Sequence, residues 1–270
     1  EVEQLVTFPV EQSIANVPDI IETRSISRFG LSVITVVFKE NVDIYFARQL
    51  ISEQLKQATE DIPKGIGTPE MAPVSTGLGE VYQYILHPKK GSEKKYSPKD
   101  LRTMQDWIVR RQLNATPGIA EINSFGGELK QYEVAIDPNR LKAMGISISD
   151  LFQALQANNQ NTGGAYIDKK PNAYFIRGIG LLTSLEDVKN ISVKDETGSV
   201  PIFVKDIADV RFGAATRYDA MTYNGQVDAV GGVVMMLKDE NASDVVKRIK
   251  EKIPTIQKSL PDDIVIESYL

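Results

Sequence analysis

The sequence predicts an α+β fold made of two copies of one split βαβ unit, the second interrupted by a mixed α/β insert. The first observation behind this is a repeat: Pro18-Asp19-Ile20-Ile21-Glu22, followed by Ser25 and Phe29-Gly30, recurs as Pro117-Gly118-Ile119-Ala120-Glu121, followed by Ser124-Phe125-Gly126. The second is a matched pair of helix-like runs. One starts near Asp43 and ends in Ile62-Pro63-Lys64-Gly65-Ile66; the other starts near Ser243 and ends in Leu260-Pro261-Asp262-Asp263-Ile264. The third is spacing, which leaves room for an insert between Phe125 and about Val227 in the second copy.

Residues 2–16 carry helical phase with a kink at Pro9, and residues 20–29 and 31–39 alternate as two strands of a hairpin around Gly30. Asp43 caps a helix to about residue 60, with Ile44, Ala47, Leu50, Ile51 and Leu55 on one face, and 68–74 closes the unit as a strand. The order α-β-β-α-β is one strand short of the ferredoxin-like order β-α-β-β-α-β. The first unit therefore lacks its N-terminal strand, which is expected upstream of Glu1. Consistent with a segment cut from a longer protein, the chain opens in helical phase with neither a start methionine nor a capping residue.

The second unit supplies a strand at 81–86, a helix at 98–114 capped by Ser97, strands at 119–125 and 227–237, a helix at 242–259 and a strand at 264–269. The insert predicts a strand at 132–136, helices at 139–144 and 148–157 and a polar, glycine-ended loop at 158–164. Segments 173–179 and 185–190 follow, then a strand pair, 191–194 and 200–212, turned at Glu196-Thr197-Gly198. The expected domains are 1–78 for the first unit, 79–129 and 217–270 for the two parts of the second, and 130–216 for the insert.

Composition narrows the chemistry. With 31 basic and 36 acidic residues the net charge is -5, which argues against nucleic acid and in favour of cations or basic partners. The absence of cysteine excludes disulfides, thiolate metal sites and cysteine nucleophiles. The single histidine, His87, stands beside Pro88 in an expected loop, with no second histidine for a catalytic or zinc constellation. No apolar run approaches the ~20 residues of a membrane span.

The glycine-rich stretch Thr76-Gly77-Leu78-Gly79-Glu80 precedes a strand and lacks the Lys-Ser/Thr of a phosphate loop, so it is not expected to bind phosphate. By strand alternation Glu80 shares a face with Tyr82 and Tyr84 while Val81 and Ile85 point the other way; it is either a solvated edge or a cation site. Met235 and Met236 face opposite sides of a strand and are expected to pack in the core rather than to ligate a soft metal. Asp239-Glu240-Asn241 is expected at a helix N-terminus, where acids favour the dipole, and Trp107 is expected to pack on the sheet.

Eight linked motifs, in order over nearly the whole chain, resemble the heavy-metal efflux branch of the resistance-nodulation-division transporters. They are Ser25-Ile26-Ser27-Arg28-Phe29-Gly30, Asp43-Ile44-Tyr45-Phe46-Ala47-Arg48, Pro73 through Tyr84, Asp100 through Trp107, Asn123-Ser124-Phe125-Gly126-Gly127, Ala157-Asn158-Asn159, Arg177-Gly178-Ile179-Gly180-Leu181 and Gly231 through Leu237. The resemblance implies the first large periplasmic loop of a proton-driven inner-membrane pump. The repeated units would be porter subdomains, and 130–216 a docking subdomain facing the outer-membrane channel and the neighbouring subunits of a homotrimer. The remaining partners would be a periplasmic adaptor, the membrane helices and the second periplasmic loop. It implies no cofactor and no catalytic residue, only a divalent or monovalent metal cation as substrate. Glu80 would face the substrate channel, with Asn123 and Ser124 as weaker neutral oxygen ligands.

The sequence leaves two other readings open. A stand-alone ligand- or metal-binding module of duplicated ferredoxin-like units requires a chain complete at Glu1 and a closed pocket. A hydrolase using Glu80 and His87 is disfavoured because alternation puts those residues on opposite strand faces, seven positions apart.

Overall fold

In the computed structural model, which describes every residue except 77, 195–199, 226 and 270, and only the backbone at 165 and 227, the chain divides into two units, Glu1–Pro73 and Val74–Leu270. The first opens with a π-helical turn, Glu3–Thr7, running into α1 (Phe8–Ile14). The Phe8 N–H reaches back to the Glu3 carbonyl, so the helix widens just ahead of Pro9, which has no N–H to donate. Strands β1 (Ile20–Arg28) and β2 (Leu31–Phe38) pair antiparallel with Arg28 opposite Leu31. That leaves Phe29 (φ 47) and Gly30 (φ 77) as a two-residue turn with both φ positive, the twist-matched way to close a hairpin. Helix α2 (Ile44–Asp61) is capped by Asp43, whose carboxylate accepts the Tyr45 and Phe46 N–H groups. Val10, Ala58 and Ile62 form a small core with Val6, Ile34 and Leu55.

The second unit begins with β3 (Glu80–Pro88), followed by α3 (Pro98–Met104), a π-helical turn Gln105–Val109 and α4 (Arg110–Asn114). Ser97 and Asp100 close a reciprocal capping box on α3. Strand β4 (Ile119–Gly126) then leads into the insert. There β5 (Lys130–Ile136) is followed by α5 (Pro138–Met144), α6 (Ile148–Ala157), β6 (Thr162–Lys169), β7 (Asn172–Gly178), α7 (Leu185–Lys189), β8 (Ser192–Lys194), β9 (Ile202–Phe203), α8 (Val204–Ile207) and β10 (Ala208–Ala214). A short hairpin, β11 (Thr222–Tyr223) and β12 (Val227–Asp228), precedes β13 (Val230–Met236), α9 (Ala242–Gln257) and β14 (Ile264–Ser268). The main sheet runs β14-β3-β13-β4 with every pair antiparallel, the ferredoxin-like arrangement.

The repeat survives in fine geometry. Asp19 (φ 63) and Gly118 (φ 90) both take left-handed backbone, and each is followed by a one-residue irregularity, between Ile20 and Glu22 in β1 and between Ile119 and Glu121 in β4. The carbonyls of Asp19 and Gly118 accept equivalent bonds, from the Lys39 and Leu237 N–H groups at 3.0 and 2.9 Å. The closing strand of the first unit is a correction. Residues 68–74 form no strand, because the equivalent strand β14 pairs with β3 and no strand precedes α1 among the described residues to play that part. Pro69 and Pro73 also withhold two donors from any ladder.

On one face of the main sheet α3, α4 and α9 cover a core that includes Tyr84, Leu86, Leu113, Ile122, Val234 and Ile249. The Gln105 amide donates to the Tyr84 hydroxyl at 2.8 Å, and burial pushes that phenol well above its ordinary range despite the bond. A side chain at Gly232 would put its Cβ 2.5 Å from the same hydroxyl, so glycine there makes room for the ring. Trp107 departs from expectation. It is 60% exposed and stacks against the Arg111 guanidinium, 4.0 Å from the ring centre, while its neighbour Ile108 takes the inward position.

The insert pairs its first and last strands, β5 with β10, over a second core that includes Leu141, Leu151, Val188 and Ile207. The expected loop 158–164 is shorter, since Thr162 and Gly163 already pair with Gly178 and Arg177 of β7. The expected strand 200–212 breaks in the middle: Asp206 accepts the Phe203 N–H at 2.8 Å and nucleates the helical turn α8. The strand pair forms as β8 with β9, and its turn at 196–198 lies outside the described residues.

Candidate functional site

Glu80 is placed by a tight turn. The Gly79 N–H bonds the Thr76 carbonyl at 2.8 Å, and a Cβ at Gly79 would stand 2.9 Å from that oxygen, so glycine is required there. Gly77 of the same stretch lies outside the described residues. Just after Glu80 the ladder slips: Tyr82 pairs with Val234, whereas Glu80 pairs with Met235. Two positions on β3 thus correspond to one step on β13, a bulge with Val81 as the extra residue. Val81 and Tyr82 both turn toward the helices, and Glu80 turns to the opposite face.

The simple alternation that puts Glu80 beside Tyr82 and Tyr84 is therefore overturned; those phenols are 2% and 0% exposed in the helix-covered core. Glu80 instead begins a row across three strands, Glu80–Met235–Glu121. Gln83, Val233 and Asn123 form the next row on the same face. Asn123 donates to the Glu121 carboxylate at 3.1 Å, while the Glu80 carboxylate makes no hydrogen bond or ion pair with another described residue. Met236 packs on the core, so the two methionines do take opposite faces.

Ser124 lies on the helix side, opposite Glu80. Its hydroxyl donates to Asp106 at 2.6 Å, and Asp106 is held in turn by Arg102 at 2.8 Å. Asn123 is thus brought to the face of Glu80 and Ser124 is not. His87 lies on β3 opposite Val265 rather than in a loop. The bulge also returns His87 to the face of Glu80, reversing the expected opposition. Seven residues of strand still separate them by roughly 20 Å, too far for shared chemistry.

Glu121 is the residue that sequence reasoning left without a role. Its motif was visible in the repeat, yet nothing local marks Val81 as a bulge, and only the bulge aligns Glu80 with Glu121. Two carboxylates flank one thioether, with Cα atoms of the outer pair about 10 Å apart across two strand spacings. Among the described residues no three His, Cys, Asp or Glu side chains converge on a metal position. The arrangement can attract and partly desolvate a cation with hard oxygen donors, and it falls short of the three or four ligands of a tight site.

The family model for the AcrB/AcrD/AcrF family matches residues 1–270. The cation efflux system protein CzcA of an Alcaligenes species is 42% identical over 270 residues, covering 98% of this chain and 25% of the relative. The cation efflux system protein CusA of Escherichia coli is 36% identical over 265 residues, again covering 98% of this chain and 25% of the relative. The crystal structure of a heavy metal efflux pump superposes with a TM-score of 0.87 at 32% identity, covering 100% of this chain and 26% of the pump. The chain belongs to the AcrB/AcrD/AcrF family and, within the resistance-nodulation-division transporters, to the heavy-metal efflux branch. It spans about a quarter of the length of the curated relatives it matches. No described helix is long and apolar enough to cross a membrane.

Proposed function

We propose that this chain is the first periplasmic porter and docking portion of a proton-driven heavy-metal efflux pump, with Glu80 as a contact for the passing cation. The observation that carries the reading is the carboxylate of Glu80, unpaired among the described residues and exposed at the start of β3, in the row with Met235 and Glu121. Glu121 and Asn123 extend the oxygen surface, and the ligands needed to complete a coordination shell come from other parts of the transporter. A site with few fixed ligands suits transport, which requires the cation to leave again. The relatives named for cation efflux support a metal ion as the cargo.

The insert serves in this reading as the docking surface for neighbouring subunits of a homotrimer and for the outer-membrane channel, beside a periplasmic adaptor. Its β6/β7 hairpin supports that role, since it holds Tyr166, Tyr174 and Phe175 out from its own core, with Phe175 84% exposed. Growth protection by the intact transporter against zinc, cobalt, nickel, cadmium, copper and silver tests the proposal. Glu80→Gln keeps shape and removes charge, and export of the natural cargo falls by about tenfold, the worth of one charge-assisted contact. Wild-type protection by that variant against every metal returns Glu80 to a solvated edge.

A further inference from the structure

The crossing from the insert back to the main sheet carries a second titratable cluster. On the outgoing side the Gly126 N–H is held by Asp219 at 2.8 Å, and on the return Arg217 grips Asp228 at 3.0 Å. Between these points the β11/β12 hairpin lays Tyr223 on His87, with ring centres 5.0 Å apart and planes 11° from parallel. The Tyr223 hydroxyl donates to Glu267 at 3.2 Å, and the same carboxylate oxygen lies 2.8 Å from His87 Nε2. His87 Nδ1 lies 3.0 Å from the Pro88 carbonyl oxygen.

Both partners of the imidazole can only accept. A neutral ring has one N–H, so one ring nitrogen must present a lone pair to an acceptor; the imidazolium has two N–H groups and meets both. A positive ring also gains from stacking on the Tyr223 π-face and from the ionised Glu267. The titratable groups brought against His87 are Glu267 from β14 and Tyr223 from β11. Arg217 and Asp228, on the return crossing, are engaged with each other.

We propose that His87, Tyr223 and Glu267 form a proton-sensitive latch that fastens the β11/β12 hairpin, and with it the return crossing of the insert, to the face of the main sheet opposite the helices. Uptake of a second proton by the ring closes the latch, and its loss leaves an acceptor facing an acceptor and loosens the hairpin.

Amide hydrogen exchange on the intact transporter in detergent, without added metal, reads the latch independently of transport. After correction for the intrinsic pH dependence of exchange, the Tyr223 and Ala229 amides, which face across the hairpin, are protected roughly fivefold more at about pH 5.5 than at about pH 8, the worth of one net hydrogen bond. In His87→Gln, which donates from one end and cannot take up a proton, the step disappears. In Glu267→Gln, which keeps the size and removes the charge, it shrinks. A flat wild-type profile, or a full step in either variant, overturns the proposal.

Discussion

The two copies of the repeat share their local devices and differ in what those devices can bury. In both, a left-handed residue and a one-residue slip start the strand, at Asp19 in β1 and Gly118 in β4, and a capped helix follows the second strand of the pair, through Asp43 and Asn241. In the second copy β3 and β14 join the sheet, and Tyr84, Leu113 and Ile122 vanish from the surface. In the first, β1 and β2 stand as a two-stranded sheet, and Ile26 and Leu31 remain more than half exposed. Local signals thus set backbone path in either copy, while the sealed core depends on strands brought from far along the chain.

The largest expected effect separates the copies by core depth. Ile122 is fully buried on β4, and its counterpart in the repeat, Thr23, is exposed on β1. Ile122→Ala destabilises the second unit by about 2–5 kcal/mol, whereas Thr23→Ala stays within about 0.5 kcal/mol. Hydrogen exchange resolved by unit measures both, and comparable losses would break the contrast.

A smaller effect concerns acid. The Lys95 ammonium, and after it the Tyr96 hydroxyl, hold the Asp263 carboxyl down to about 2, joining the loop after β3 to the start of β14. A depressed carboxyl adds stability above the ordinary aspartate range and loses it as pH falls through the folded value. The second unit therefore loosens between about pH 4 and about pH 2, and Asp263→Asn flattens that limb of a pH-dependent melting curve. In the first copy Glu22 is also held low, by Arg24, but that exposed pair links residues two apart on one strand and ties no elements together. An acid limb unchanged in Asp263→Asn would show that the pair is equally idle.

Much of this was legible in the sequence because it is local: the Phe29-Gly30 turn, the Asp43 and Ser97 caps, the helical phase of 98–114 and the repeated Pro-x-Ile-x-Glu. Most of the errors involve partners remote in sequence; the helical turn at Asp206 is a local exception. Alternation through Glu80 failed because the bulge at Val81 is defined only against Val234 and Met235. Residues 68–74 meet no partner strand among the described residues, and Pro69 and Pro73 withhold two donors, while Trp107 lies outside because Ile108 and Leu113 already fill the inward face. Pro88 beside His87 signals a loop in the sequence, yet β14 extends the ladder to that proline. At the site, residue types were visible and facing was not: Asn123 joined Glu80, Ser124 turned to Asp106, and Glu121 became a neighbour.

Glu22 and Glu121 occupy the same place in the two copies, and only Glu121 stands across Met235 from Glu80. The most direct measurement is cellular metal accumulation with the intact transporter carrying Glu22→Gln, Glu80→Gln or Glu121→Gln. The account predicts wild-type accumulation for Glu22→Gln, a strong rise for Glu80→Gln and an intermediate rise for Glu121→Gln, at equal protein levels. Wild-type accumulation for both Glu80→Gln and Glu121→Gln would contradict it and leave this face without a part in moving the cation.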